Sequence, residues 1–213
     1  DQRVLNEGEV SFRLFQHLLE RELLDLRIHM NISTESLAWA GRLGLRTGFG
    51  SDRLWLGHVK AFADGSMGSG TALMIDPYEG QPNNRGVAAL SPEQLRVLVD
   101  QAARAGFPLS VHAIGDLAVR QVVDVLGLPG SPSDAAGGCS GSPPHRIEHV
   151  QVIHPADIPR LAQTGAVAAV QPVHMVTDWP TADRVWGSRS RHAYAFNSLL
   201  RHGVTLAFGS DAP

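Results

Sequence analysis

Residue 60 is the only lysine in a chain whose lysines and arginines together number 18. Arg-rich codon usage alone would leave such a pattern, but the chemistry also separates the two residues. Guanidinium stays protonated, whereas a buried lysine amine can lose its proton and act as a nucleophile, a base or a carbamate. Lys60 follows the apolar approach Leu54-Trp55-Leu56 and precedes a glycine-rich loop, so it sits where a strand hands over to a loop. Other distinctive side chains recur in similar places: His112, His149, then Gln171 or His174, and Asp211. Two histidines, a carboxylate and a lysine are an odd set for acyl transfer through serine and a good set for metal-assisted hydrolysis. Neutral imidazole and carboxylate suit zinc and similar divalent ions, one or two of them. A pair of such ions can share an activated water or hydroxide. A neutral lysine adds carbon dioxide to give a carbamate whose two oxygens can bridge two ions, which arginine cannot do.

The elements that must position these residues follow from hydrophobic period. Residues 11–24 read as an amphipathic helix with Ser11 as N-cap, residues 26–32 alternate as a strand, and Ser33 opens a helix running towards Gly44. Residues 53–62 form the next strand, with Lys60 near its end. Residues 64–90 form a long loop, and loops of this length in compact domains are usually lids or binding loops. Ser91-Pro92-Glu93 opens a helix with a capping hydroxyl and proline at its first position. Strands are expected at 107–113, 146–153, 166–173 and 204–208, and helices at 117–126, 155–165 and 191–202. The Gly/Ser/Pro-rich stretch 127–144, which contains Cys139, reads as a connection away from the chemistry.

Six strands alternating with helices imply a parallel sheet, either doubly wound or a barrel. No Gly-x-Gly-x-x-Gly follows a strand, which removes the main support for a nucleotide-binding sheet. In a barrel, the C-terminal strand ends carrying Lys60, His112, His149 and Asp211 converge on one rim, where such enzymes keep their active sites. The expected fold is therefore α/β, a TIM-type (β/α)8 barrel. The 213 residues supply an incomplete portion of it, about strands 3 to 8, as one domain lacking the first two strands and whatever follows the last.

The motifs Val59-Lys60-Ala61-Phe62-Ala63-Asp64-Gly65-Ser66, Val111-His112-Ala113-Ile114-Gly115-Asp116, Arg146-Ile147-Glu148-His149, Gln171-Pro172 and Gly209-Ser210-Asp211-Ala212-Pro213 resemble the amidohydrolase superfamily. The similarity is to its amidohydrolase family 3 branch, which includes N-substituted formamide deformylases. The resemblance implies that Lys60 is the bridging, carboxylated lysine of the fourth barrel strand. It also implies that His112 and His149 are metal ligands of the fifth and sixth strands, and that Asp211 is the eighth-strand aspartate that binds metal and shuttles the proton. Asp64, Gln171 and His174 are expected to face substrate, although Asp64 is also read as orienting a ligand or capping the loop. The chain departs from the family in lacking the first-strand His-x-His pair. These residues alone are expected to bind two metals weakly and to have little activity; in a longer protein the pair would lie upstream.

The implied activity is metal-dependent hydrolysis of an amide or related C–N bond in a small molecule. A catalytically silent barrel used for binding or regulation, and a lactone or phosphotriester hydrolase using the same centre, are the alternatives, since fold alone does not settle chemistry. A formal charge of −3 gives no electrostatic reason to expect nucleic acid or an anionic membrane as partner. A single cysteine excludes an internal disulfide framework. The cytoplasm is the default location, and the oligomeric state is open, a homodimer included. The remaining histidines receive structural readings: His29 and His58 within strands, and His17, His145, His154, His192 and His202 on helix or loop surfaces. Asp116 is expected to cap its helix. Glu148 is expected on the opposite strand face from His149, towards the outer helices.

Overall fold

A computed structural model describes residues 8–128 and 143–211. Cys139 and most of the expected connection at 127–144 lie outside the described residues. In chain order the elements are α1 (Gly8–Glu20), β1 (Ile28–Ser33), α2 (Thr34–Arg42), β2 (Leu54–Phe62), α3 (Pro92–Arg104), β3 (Leu109–Ala113) and α4 (Asp116–Leu126). They continue with β4 (Arg146–His149), α5 (Ile158–Gln163), β5 (Val167–Val170), α6 (Pro172–Trp186), α7 (Phe196–Arg201) and β6 (Leu206–Phe208). Short 3-10 turns occupy Pro155–Asp157 and Gly187–His192.

The six strands form one parallel sheet in sequential order, β1 to β6. This is the strand arrangement of a partial (β/α) barrel, so the sequential parallel sheet expected from the sequence is present. The outer face carries Leu109, Val111 and Ala113 of β3, Ile147 of β4 and Ala168 of β5, all fully buried. They share one core with Leu95, Leu98 and Val99 of α3 and Val119, Val122 and Val123 of α4. Each such Val or Leu removed from water contributes roughly 1.5–3 kcal/mol. Helix starts follow local chemistry: the Ser33 hydroxyl accepts from the Ser36 N–H at 3.3 Å, and Ser91 with Gln94 forms a capping box.

Several sequence-based boundaries shift for identifiable reasons. Ser11 lies inside α1 rather than capping it. The strand expected to reach residue 173 stops at Val170, because Pro172 lacks a ladder donor and instead opens α6. The helix expected at 191–202 is a 3-10 turn followed by the shorter α7. Gly115 is the N-cap residue of α4, and the Asp116 carboxylate instead accepts from the Ile75 N–H at 2.8 Å.

The long loop 64–90 is a wall. Its Met67, Ala72, Met74 and Tyr78 pack in a second buried cluster with Ile114 and with Ala182 and Trp186 of α6. Arg189 donates to the carbonyls of Asp76 and Pro77 at 2.5 Å each, and the Glu79 N–H donates to the Val185 carbonyl at 3.0 Å. Loop and helix therefore rise together above the C-terminal strand ends. No helix among the described residues is long and apolar enough to cross a membrane.

His145 is buried, which corrects its expected surface placement. Its Nδ1 accepts the Leu109 N–H at 3.0 Å, a role open only to the uncharged ring. Burial lowers its pKa from 6.5 to about 4. His58, between His29 Nε2 (3.3 Å) and the Pro144 carbonyl (3.0 Å), is lowered to about 3, mainly by burial. Between those folded values and the unfolded value of 6.5, the unfolded chain binds more protons. Stability therefore rises with pH through this window and is lost as pH falls through it. Urea unfolding should show a falling midpoint from about pH 7 to about pH 5, with a shallower slope in His145→Gln. Equal slopes in the two proteins would contradict the buried neutral role of His145.

Candidate metal centre

The parallel register aligns the inward side chains in rows. Lys60 of β2 lies opposite Ser110 of β3, which lies opposite Arg146 of β4. The next row towards the strand ends is Phe62, His112, Glu148, Ala169 and Ala207. Above these rows opens a cleft of about 910 Å³, lined by Lys60, His112, His149, Gln171, His174 and Asp211 among others. Of the residues expected to do chemistry, only Asp64 is not on its lining.

Asp64 is buried beside the cleft rather than on its lining, which agrees with its other readings, capping the loop and orienting a ligand, rather than with facing substrate. Its carboxylate accepts three backbone N–H groups: Leu73 at 2.9 Å, Ile114 at 3.0 Å and Gly115 at 2.8 Å. The same carboxylate lies 3.6 Å from His112 Nε2. Burial raises its pKa to about 6, against the opposing pull of the three N–H donors. The His112 Nε2 also sits 2.8 Å from the Gly65 carbonyl. An N–H must point at that carbonyl, so in the neutral ring Nδ1 carries the lone pair.

His149 reaches the cleft by a backbone turn. Strand alternation from Ile147, which faces the outer helices, would send His149 outward as well. Positive φ values at His149 (74°) and Val150 (42°) end the strand and swing the ring inward. Its centroid then lies 4.6 Å from that of His112, edge to face, and 6.1 Å from that of His174, nearly parallel. Gln171 holds this pose. Its Nε2 donates to the Ala169 carbonyl at 3.2 Å, which turns Oε1 towards His149 Nδ1 at 2.9 Å. The proton is thereby assigned to Nδ1, leaving Nε2 as the lone-pair nitrogen. Gln171, expected to face substrate, lines the cleft and in this geometry also holds the His149 ring.

His174 stands in the first turn of α6, and its Nε2 lies 3.9 Å from Asp211 Oδ2. His149, His174 and Asp211 each offer a ligand atom, all within 4.8 Å of one another. Lys60 Nζ lies over the Phe62 ring, 5.6 Å from its centroid.

Two further cleft residues escaped the sequence reading. Glu148 faces inward, contrary to expectation, accepts from the Ser110 hydroxyl at 2.7 Å and from Arg146 Nη2 at 3.4 Å, and forms an ion pair with the Arg146 guanidinium, whose Nε lies 3.0 Å away. The i, i+2 pair Arg146 and Glu148 is a legible signal, but placing His149 on the inward alternation excluded its neighbour. Gln151 lies beyond the strand; its Nε2 donates to the Tyr194 hydroxyl at 2.7 Å, and nothing in the pattern singles it out.

The sequence and the fold resemble known proteins. A sequence model described as amidohydrolase family matches residues 3–213. The chain belongs to the amidohydrolase superfamily, in its family 3 branch. Protein LONG AFTER FAR-RED 3 of Arabidopsis thaliana is 37% identical over 180 residues, covering 82% of this chain and 30% of the relative. The Bacillus subtilis (strain 168) protein YtcJ is 34% identical over 163 residues, 74% of this chain and 28% of that protein. Crystal structures of uncharacterized metal-dependent hydrolases from Pyrococcus furiosus and Pyrococcus horikoshii OT3 each superpose with a TM-score of 0.81 at 28% identity. They cover 95% of this chain, which spans 40% and 39% of theirs. The chain thus spans less than a third of the length of the two curated relatives.

Removing the carboxamide that orients His149 should weaken divalent-ion binding by about 10–100-fold, the usual cost of losing a partner of a ligating histidine. Competition of full-length Gln171→Leu protein against a chelating indicator measures this. Unchanged affinity would contradict the positioning role.

Proposed function

We propose that the full-length protein is a metal-dependent hydrolase of C–N bonds in small non-peptide amides, with N-substituted formamides as the leading substrate class. In this reading residues 1–213 are one portion of a single barrel catalytic domain. The observation that carries the proposal is the convergence of Lys60, His112, His149 and Asp211 on one cleft of an amidohydrolase-family chain.

The donor chemistry fits a divalent ion. His112 and His149 each have one ring nitrogen committed to a carbonyl-type oxygen, at 2.8 Å and 2.9 Å. In the neutral rings the lone pairs then lie on the opposite nitrogens, Nδ1 and Nε2 respectively. Imidazoles with a carboxylate suit zinc and similar ions. Lys60 would hold as its carbamate, Asp211 as its carboxylate. When bound, such ions polarise a carbonyl and make water acidic enough to react near neutral pH.

The chain's own residues then handle protons and orientation. Asp211 accepts a proton from the attacking water as its oxygen bonds to the carbonyl carbon. It returns that proton to the nitrogen as the C–N bond breaks, yielding a carboxylic acid and an amine. The loop wall and α6 bound the cleft, and variation along them sets which N-substituent fits.

Metal content and turnover of N-formyl and N-acyl amines by full-length protein test this reading. Lys60→Ala should lose metal and activity, with partial rescue by added short carboxylates, whereas Lys60→Arg should restore neither. Asp211→Asn should lower kcat by about 10²–10⁴-fold. Full activity after exhaustive chelation would overturn the proposal.

A further inference from the structure

We propose that His174 is a metal ligand, completing with His149 and Asp211 a three-donor site for one borderline divalent cation such as zinc or cobalt. The inference rests on the reading of the cleft as a metal centre. It changes the role of His174, whose sequence position pointed to substrate, and it separates one ion from dependence on Lys60.

Three observations converge. The ligand atoms of His149, His174 and Asp211 lie within 4.8 Å of one another. Donors on a tetrahedral zinc, about 2.0–2.1 Å from the ion, sit roughly 3.4 Å apart, so closure needs side-chain movements on the order of 1 Å. Asp211 and His174 have that freedom, with side chains 53% and 26% exposed, whereas His149 is fixed by Gln171. The second observation is ring direction. The two imidazoles are nearly parallel, 14° apart, so they can present lone pairs to the same space beside Asp211. The third is backbone placement. Pro172 starts α6 directly after β5, which puts His174 in the first turn above the strand ends, and Asp211 takes a left-handed φ of 53° at the last described residue. Two imidazoles and one carboxylate leave a tetrahedral ion one open position.

All three ligands lie between residues 149 and 211, so this ion needs neither Lys60 nor any residue before His149. A plain His174–Asp211 ion pair is the competing account of the 3.9 Å contact. It places no demand on His149 and predicts no metal effect of changing His174.

Cobalt(II) serves as the probe, titrated into metal-free full-length protein and read by absorption. His174→Asn should weaken cobalt binding at this site by at least about tenfold. His174→Cys should create a thiolate-to-cobalt charge-transfer band that the wild type, with its own Cys139, lacks. That band should survive addition of Lys60→Ala, while the total cobalt bound falls. Binding by the wild type with no change in His174→Asn, and no new band in His174→Cys, would overturn this inference alone and leave the wider reading standing. Failure of the wild type to bind cobalt at all would overturn both.

Discussion

The region above the sheet depends on one buried carboxylate. Asp64 follows the end of β2 and gathers the N–H groups of Leu73, Ile114 and Gly115, tying the loop's return and the exit of β3 to the same point. A buried acceptor that satisfies three buried donors is costly to remove, because each orphaned N–H costs about 1–3 kcal/mol. The same carboxylate stands 3.6 Å from His112 Nε2, whose proton points to the neighbouring Gly65 carbonyl. Loop shape, histidine tautomer and cleft wall are therefore set together. Asp116 repeats the device one step along, holding Ile75, so the long segment behaves as a fixed wall packed on Trp186.

The sheet below supplies the second constraint. Parallel strands in sequential order present all their C-terminal ends on one edge, and the register stacks polar inward residues into the rows of Lys60, Ser110 and Arg146 and of His112 and Glu148. Part of this polar content is paired inside: the Glu148 carboxylate accepts from the Ser110 hydroxyl and from Arg146 Nη2 and carries the charge opposite to the guanidinium. The outer face carries the apolar burial that holds the fold. Stability and chemistry are thus divided between opposite faces of the same strands, which lets the inner residues be chosen for donors and charge.

Much of this was readable in the residues themselves. Period-two strands alternating with helices fixed the parallel sheet, and the recurrence of Lys60, His112, His149 and Asp211 near strand ends marked the cleft. What escaped depends on backbone turns and distant partners. His149 faces inward only through its left-handed φ, so assigning it inward as an ordinary strand residue puts Glu148 on the wrong face. His145 was taken for a surface residue because the Leu109 N–H it serves lies 36 positions away. Gln171 and His174 both line the cleft, but sequence shows neither the Ala169 carbonyl that orients the carboxamide nor the proximity of α6 to Asp211.

The central claim is that hydrogen bonds on the far ring nitrogens leave His112 and His149 poised to hold an ion in this cleft. Anomalous diffraction at the zinc edge from crystals of zinc-loaded full-length protein tests it most directly. The account predicts a peak in the cleft within ligand distance, about 2.0–2.1 Å, of His149 Nε2 or His112 Nδ1. A cleft without a peak, or an ion on His149 Nδ1 or His112 Nε2, would contradict it.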